Sequence, residues 1–120
     1  MPNLTRHQPA TTPDDLGRLF VERANAGDVE GLVALYEPAA VLAFPSGHFA
    51  TGHAEIRAVY QDLVAHAPVF EPGAQEPAIV SGDLALTSTR LVGGAITVEI
   101  AHRQPDGTWL WAIDQPNILG

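Results

Sequence analysis

Asp114 is the residue of this sequence whose surroundings point most directly to chemistry. It lies in the run WLWAIDQPN (109–117), an otherwise apolar stretch that is typical of a β-strand. A strand that is to be buried holds a carboxylate only where that group is paired, solvated or functional. Burial would raise the pKa of this carboxyl and make it a general acid or base. Alternatively, Asp114 ends the strand and bonds backbone amides or an arginine, since Asp-x-Pro is a common way to leave a strand.

Glu99 and His102 are the two candidates for a partner of Asp114, and the strand register decides between them. Both lie in the strand-like run AITVEIAHR, which the turn QPDG joins to the last strand. A loop of about four residues pairs Glu99 with Ala112 and gives it the face of Asp114. A loop of about three residues exchanges the two faces, so that His102 takes that place. A third possibility for Glu99 is the outer face of the sheet, beside an arginine of a neighbouring strand.

Aromatic side chains provide candidate walls for a binding pocket. Pockets for small molecules are mostly apolar and hold few polar groups. Alternation along the last strand also places Ala112 on the face of Asp114. The candidate ligand contacts are Phe20, Tyr36, Phe44, Tyr60 and Ala112, with His48 at the cavity mouth. Simple packing is the alternative for the aromatic residues, and an exposed turn is the alternative for His48.

The sequence predicts no metal site and no cofactor. His48 and His53 lie close in sequence, but no His-x-His or His-Glu-x-x-His pattern accompanies them. The chain has no cysteine, which excludes a thiol nucleophile and a disulfide framework. The serines lack a nucleophile-elbow context, and the glycine-containing run SGHFATG lacks the lysine of a phosphate loop.

The charge balance narrows the range of partners. The 120 residues include six basic and fourteen acidic ones, which gives a net charge of −8. This charge disfavours nucleic acid and anionic membrane surfaces, and the absence of lysine disfavours phosphorylated substrates. No apolar run approaches the roughly 18 residues of a membrane span, and the first residues do not resemble a signal peptide. We therefore expect a cytoplasmic protein without nucleic-acid or membrane partners.

The elements that must position these residues follow from hydrophobic periodicity. Residues 1–11 are polar and contain proline, so we expect a flexible arm before a single domain that spans residues 12–120. Apolar positions at helical spacing predict three helices, the second of which reaches Tyr36. A short strand (39–44) and a brief return precede the third helix, and alternating runs predict an antiparallel meander after it. Helices packed on such a sheet define an α+β fold.

Three segments of the chain resemble the nuclear-transport-factor-2-like superfamily, in particular its ketosteroid-isomerase and SnoaL-type branch. They are NAGDVEGLVALYEPAAVL (25–42), GHAEIR (52–57) and a C-terminal hairpin containing DG-W. The resemblance implies a cone-shaped domain, in which a strongly curved, mostly antiparallel sheet encloses three N-terminal helices and an apolar cavity.

The resemblance also implies a homodimer formed through the outer face of the sheet. Strand alternation assigns Trp109 and Trp111 to the face opposite Asp114, which is then the outer one. Two tryptophans on a solvent-facing surface would form an unusual apolar patch, whereas at a subunit interface they are expected anchors. The alternative is that both pack in the core of a single chain.

The steroid-isomerase mechanism needs a tyrosine, a protonated aspartic acid and a carboxylate base. The resemblance puts these positions at Phe20, Phe44 and near Ile100, all of which are apolar. Phenylalanine neither donates a hydrogen bond nor carries a proton. The resemblance therefore implies that the pocket persists without that residue set.

The sequence thus predicts a SnoaL-like protein that binds a small apolar or weakly polar molecule. As an enzyme of the isomerase, cyclase or hydratase type it would use Asp114 as its acid–base group, assisted by Glu99 or His102. The alternative is a non-catalytic ligand-binding protein, or a dimeric scaffold or adaptor, with the same fold. That alternative predicts a solvated Asp114, or one bonded to a backbone amide, and no pair of polar groups inside the cone.

Overall fold

The structure, a computed structural model, describes residues 7–119. Within that range, three helices and seven strands follow one another as α1 (Asp15–Asn25), α2 (Val29–Val33), β1 (Tyr36–Leu42), β2 (Ala50–Thr51), α3 (Gly52–Ala65), β3 (Ala74–Gln75), β4 (Ile79–Ser81), β5 (Leu84–Arg90), β6 (Ile96–Arg103) and β7 (Trp109–Gln115). This order confirms the expected α+β class, with most of the sheet after the helices.

One curved mixed sheet contains all seven strands. Its main order is β2-β1-β7-β6-β5-β3, and β4 pairs with β5 beside β3. Strand β1 runs parallel to β7, and every other pair of strands is antiparallel. The first four residues of β5 alternate between exposed and buried, and those of β6 alternate between half-buried and buried up to Ala101, because only one face of the sheet is covered by the helices.

The two N-terminal helices are separated by a tight turn that the sequence encodes locally. Helix α1 buries Leu16 and Leu19 on its inner face. Gly27 adopts a φ of +68°, a conformation that glycine accepts without strain, and so reverses the chain. The Asp28 side chain then accepts a hydrogen bond of 2.9 Å from the Gly31 amide and caps α2.

Strand β1 begins at Tyr36, where the sequence predicts the last turn of the second helix. That prediction is wrong, because α2 ends at Val33. Pro38 lies inside the strand, but the register between β1 and β7 is interrupted between Tyr36 and Val41. The missing amide proton of the proline therefore costs little at this position. The consequence is that the Tyr36 side chain is carried by the sheet rather than by a helix.

A β-bulge in β7 decides which side chains face the helices. Ala101 pairs with Trp111, whereas the next residue back, Ile100, pairs with Ile113. Ala112 is thus the extra residue, and the inward side of the strand changes by one position there. Trp109 and Trp111 before the bulge and Asp114 after it all point inward, and all three are buried.

The prediction that the tryptophans lie on the outer face is therefore wrong. Trp109 is 5 % exposed and Trp111 is 4 % exposed within a single chain, so both belong to the core. Trp111 packs against the rings of Phe20 and Tyr36. The prediction assumed that side chains alternate uniformly along β7. The bulged residue exchanges the inward and outward positions of every residue that follows it in the strand.

The described part of the predicted arm is docked on the domain. Ala10 is buried, and its carbonyl accepts a hydrogen bond of 2.9 Å from the Trp109 amide. The His7 ring lies 2.8 Å from the Asp28 carboxylate. The core thus begins before the predicted boundary at residue 12, and residues 1–6 lie outside the described part of the chain. Among the helices of residues 7–119, none is long and apolar enough to cross a membrane.

Candidate functional site

A cavity of about 390 Å³ lies between the inner face of the sheet, helix α1 and the segment 70–75. This volume falls in the range of sites for small molecules. Its wall is mainly apolar and aromatic, with contributions from Phe20, Val21, Tyr60, Phe70, Pro72, Leu91, Trp111 and Pro116. The sheet contributes polar residues from β5, β6 and β7, namely Thr87, Thr89, Thr97, Glu99 and Asp114, and further polar side chains come from α1 and the segment 70–75.

Glu99 and Asp114 are directly opposite each other on neighbouring strands. They share the inner face of the sheet, line the cavity, and are 7 % and 5 % exposed. Directly opposed residues of an antiparallel pair have Cβ atoms about 4.5–5.5 Å apart. The two carboxyl groups therefore lie close enough to influence each other's protonation.

Two tyrosines support Asp114 from the side of β1 and α3. The Tyr36 hydroxyl donates to Asp114 Oδ2 over 2.5 Å, and the hydroxyls of Tyr36 and Tyr60 are also 2.5 Å apart. Because the only hydroxyl hydrogen of Tyr36 is used in the bond to Asp114, the Tyr60 hydroxyl is the donor in the bond between the two tyrosines. His53 at the start of α3 holds the Tyr36 carbonyl at 2.8 Å. This chain of bonds fixes the Asp114 side chain.

Burial, together with the nearby charge of Glu99, raises the pKa of Asp114 to about 7. The hydrogen bond from Tyr36 acts in the opposite direction, since it stabilises the carboxylate. Burial also raises the pKa of Glu99, although hydroxyls of Thr97 and Thr87 offset part of the effect. Thr87 Oγ1 donates to Glu99 Oε1 over 2.7 Å.

The two carboxyls titrate as a coupled pair, because ionising both would place two negative charges together in a buried site. Near neutral pH the proton that the pair retains lies on Asp114, whose pKa is about 7, while Glu99 carries the negative charge. Burial and Asp114 raise the pKa values of Tyr36 and Tyr60 well above their ordinary range, so both tyrosines remain neutral hydrogen-bond donors. A protonated acid next to a carboxylate base is an arrangement that moves protons.

The sequence-predicted site residues divide into those that meet at the cavity and those that do not. Phe20 and Tyr60 line it, and their ring centroids are 6.0 Å apart. Tyr36 is not part of the cavity wall; its hydroxyl donates a hydrogen bond to Asp114, which is. Phe44, His48 and Ala112 are not part of the lining, so the prediction that they contact a ligand in this cavity is wrong.

Those three residues miss the cavity for local reasons. Phe44 and His48 lie in the exposed connection between β1 and β2. Ala112 is the bulged residue of β7, so its side chain does not follow the inward face of Asp114.

His102 cannot assist Asp114, because it lies on the outer face of the sheet. Its Nδ1 atom is 2.9 Å from Glu37 Oε2, which also accepts a hydrogen bond of 2.9 Å from Gln104. Arg103 pairs with Trp109, so five residues (104–108) connect the strands, a length that the sequence did not predict. That loop and the bulge together pair Glu99 with Asp114.

Sequence reasoning missed the threonines and Trp111 as parts of the wall. Thr87 and Thr89 follow the alternation of the run LALTSTR, which offers a signal for their common face. Trp111 shares the face of Asp114 only through the bulge, for which the sequence gives no clear signal. Within residues 7–119, no group of three or more His, Asp and Glu side chains could hold a metal ion.

The curved mixed sheet and its three helices place the chain in the nuclear-transport-factor-2-like superfamily, as the sequence resemblance predicted. More narrowly, the chain belongs to the SnoaL-like domain family, whose model matches residues 18–115. No curated protein has a significantly similar sequence.

Solved structures with the same fold carry several different descriptions. A candidate association domain of a calcium/calmodulin-dependent protein kinase type II from Thiobacillus denitrificans superposes with a TM-score of 0.70 at 15% identity, over 91% of this chain and 98% of that one. A candidate dehydratase of the NTF2-like family from Streptomyces avermitilis gives 0.68 at 20% identity, over 91% and 100%. A ketosteroid isomerase-like protein from Erwinia carotovora atroseptica gives 0.64 at 20% identity, over 85% and 89%. At these identities the likeness establishes the fold alone.

Proposed function

We propose that this SnoaL-like protein is a proton-transfer enzyme of the isomerase, cyclase or hydratase type that acts on a small, largely apolar molecule. The observation that carries the proposal is the buried pair of Asp114 and Glu99 on the wall of an apolar cavity. A pair of carboxyls whose titration is displaced towards neutrality is a marker of acid–base sites.

The proposed step starts with protonated Asp114 and ionised Glu99, because the charge of Glu99 helps to retain the proton on Asp114. Glu99 removes a proton from the ligand carbon that lies between a carbonyl group and a carbon–carbon double bond, and the electron pair of that bond moves through the new enolate to the carbonyl oxygen. Asp114 donates a hydrogen bond to the oxygen as its negative charge develops. Glu99 then returns the proton to the far carbon of the double bond, which leaves the double bond conjugated with the carbonyl and completes an isomerisation without any cofactor.

The non-catalytic alternative makes two predictions about the site, and the observed geometry differs from both. It predicts a solvated Asp114 or one bonded to a backbone amide, whereas the side chain is buried and bonded to the Tyr36 hydroxyl. It also predicts no converging polar pair, whereas Glu99 lies directly opposite. These observations support the catalytic proposal.

Proton abstraction is tested by deuterium exchange. The protein is incubated in D₂O with a panel of apolar ketones, with and without an amino group, and deuterium at the carbon beside the carbonyl is measured by mass spectrometry. We expect Asp114→Asn to slow the exchange by about 100-fold or more, since general acid–base catalysis contributes on the order of 10²–10⁴-fold. Asp62→Asn, an exposed carboxylate on α3, is the matched control and keeps the wild-type rate.

Equal exchange by Asp114→Asn and wild type would overturn the role of Asp114. Exchange by the wild type no faster than in buffer, on every ketone of the panel, would overturn the proposed reaction class. Circular dichroism and thermal melting of the variant show whether a lost rate reflects a lost fold.

We also propose that the protein forms a homodimer through the outer face of its sheet. With the tryptophans in the core, the anchors are a cross-strand row formed by Ile79, Leu86, Ile100 and Ile113. Ile79, Leu86 and Ile113 are exposed in a single chain, and Ile100 is half-buried. Burying such a row is favourable by the hydrophobic effect.

The dimer is tested by light scattering coupled to size exclusion. We expect Ile113→Glu to be a folded monomer, whereas Val69→Glu, a change of an exposed residue after α3, remains a dimer. A wild-type protein that is monomeric at high concentration would overturn this assignment.

A further inference from the structure

The charges around the cavity are strongly unequal. Four carboxyl groups and one guanidinium line it, namely Glu22, Glu71, Glu99, Asp114 and Arg18. The guanidinium is already engaged: its Nη1 atom donates to Glu22 over 2.8 Å, and its Nη2 atom is 3.6 Å from Asp15. A bound anion would therefore meet mostly uncompensated negative charge, whereas a cation would be attracted to the opening.

The two deep carboxyls have hydroxyl partners but no positive partner among the described residues. Asp114 accepts from Tyr36, and Glu99 accepts from Thr87. Buried carboxylates are ordinarily paired with a cation. The pair therefore lacks a positively charged partner, and a ligand in the cavity can provide one.

Aromatic rings surround the same space. Phe20 contacts Tyr60, Phe70 and Trp111, with ring centroids 6.0, 5.5 and 6.1 Å apart, and all four residues line the cavity. Aromatic rings attract a cation that lies within about 6 Å of a ring centroid, most strongly where water is excluded. They also bury the apolar body of a ligand.

We propose that the ligand of this cavity carries a protonated amine on an apolar body, with the ammonium group between Asp114 and Glu99 and the body against the aromatic wall. The inference rests on the proposed function, because it names the substrate class of the same site. It excludes ligands whose polar end is a carboxylate or a phosphate.

Binding of an ammonium group is coupled to the protonation of the acidic pair. The groups that face Asp114 are Tyr36 on β1, Tyr60 on α3 and Glu99 on β6, and the two tyrosines stay neutral. An ammonium ion stabilises the ionised form of both carboxyls, so its binding releases the proton that the pair retains near neutral pH. The ammonium group then replaces the protonated carboxyl as the hydrogen-bond donor of the proposed step. A neutral ligand that accepts a hydrogen bond from the protonated acid has the opposite dependence on pH.

The test uses three probes of the same shape: phenylpropylamine, phenylpropanol and phenylpropanoate. Their binding to the purified protein is measured by calorimetry at pH 8 and pH 5.5, in buffers that differ in their heat of ionisation. We expect the amine to bind more tightly than the other two. If it binds only ionised Asp114, whose pKa is about 7, its affinity falls roughly 30-fold from pH 8 to pH 5.5. Proton release on binding appears as a buffer-dependent heat.

The isosteric variants Asp114→Asn and Glu99→Gln separate the amine from a neutral ligand. Each should weaken amine binding at least about tenfold and leave alcohol binding nearly unchanged, while Asp62→Asn changes neither. If the variants fail to fold, the ranking of the three probes on the wild type still decides the matter. Equal or tighter binding of the alcohol or the carboxylate, or affinity for the amine that increases at low pH, would overturn the proposal.

Failure of this inference and failure of the proposed reaction give different results. Selective amine binding without deuterium exchange on any ketone leaves the ligand class standing and refutes the catalytic step. Exchange on ketones that lack an amino group, together with no preference for the amine, leaves the catalytic step standing and refutes the ligand class.

Discussion

Replacing Tyr36 by Phe tests the electrostatic account of the site most directly. The change removes one oxygen atom, the donor that lies 2.5 Å from Asp114 Oδ2, and keeps the ring that packs on Trp111. A hydrogen bond to a charged group contributes about 1.5–3 kcal/mol. Since 1.36 kcal/mol corresponds to one pKa unit, the pKa of Asp114 should rise from about 7 to between about 8 and 9.

The same substitution should change stability in a pH-dependent way. The folded-state pKa of Asp114 lies above the ordinary value of 3.8. The stability that protonated Asp114 contributes is therefore fully present below about pH 4 and is lost as the pH rises through 7. Tyr36→Phe removes a donor that the ionised form needs more than the protonated form. Its cost in free energy of unfolding should thus be small at pH 4 and reach about 1.5–3 kcal/mol at pH 9.

The assay combines two measurements on one pair of variants. Carbon-13 NMR of protein labelled at the aspartate carboxyls gives the pKa, and urea unfolding at several pH values gives the free energy. Tyr60→Phe is the matched control, because Tyr60 bonds the Tyr36 hydroxyl and not Asp114 itself, so its effect on the pKa should be smaller. An unchanged pKa in Tyr36→Phe, or a pH-independent loss of stability, would refute the reasoning.

Three further predictions concern the placement of individual side chains. Asp114→Asn should stabilise the fold by up to about 4 kcal/mol at pH 8 and by little at pH 4, because it removes a carboxyl that is charged only at the higher pH. Urea unfolding that shows equal or lower stability of the variant at pH 8 would contradict this. Trp109→Ala should cost about 3–5 kcal/mol of unfolding free energy. A change in oligomeric state at unchanged stability would instead indicate an outward-facing side chain. His102→Ala should leave the NMR titration of Asp114 unchanged, and a displaced titration would show that the histidine acts on the inner face.

Much of the architecture could be predicted from the sequence, because helical and alternating periods record which faces are buried. The stripe on the third helix, which includes Ile56 and Tyr60, and the turns before the last two strands fall where the structure has them. The short strand Ala74–Gln75 could not be predicted, since two residues carry no period. The start of β1 was misplaced because apolar residues before a proline fit the end of a helix equally well.

The site was predicted in part. The sequence indicates Asp114 because a carboxyl in an apolar strand requires a structural reason, and the structure supplies one in Tyr36 and Glu99. The loop of about four residues, one of two that the sequence allows, gives Glu99 the face of Asp114, but it pairs Glu99 with Ala112 and not with Asp114 itself. His102, Phe44, His48 and Ala112 could not be sorted by spacing alone, because their environment depends on segments distant in the sequence.

The sequence by itself determined that a carboxyl would lie in the apolar last strand and that the domain would be of the α+β class, since both follow from local composition and period. Only the tertiary structure decided what that carboxyl meets. A bulge at Ala112 and a loop of five residues set the pairing of β6 with β7, and each shifts the register by one residue. Such a shift changes little in local sequence preference but exchanges the two faces of a strand. It placed the tryptophans in the core and Glu99 opposite Asp114.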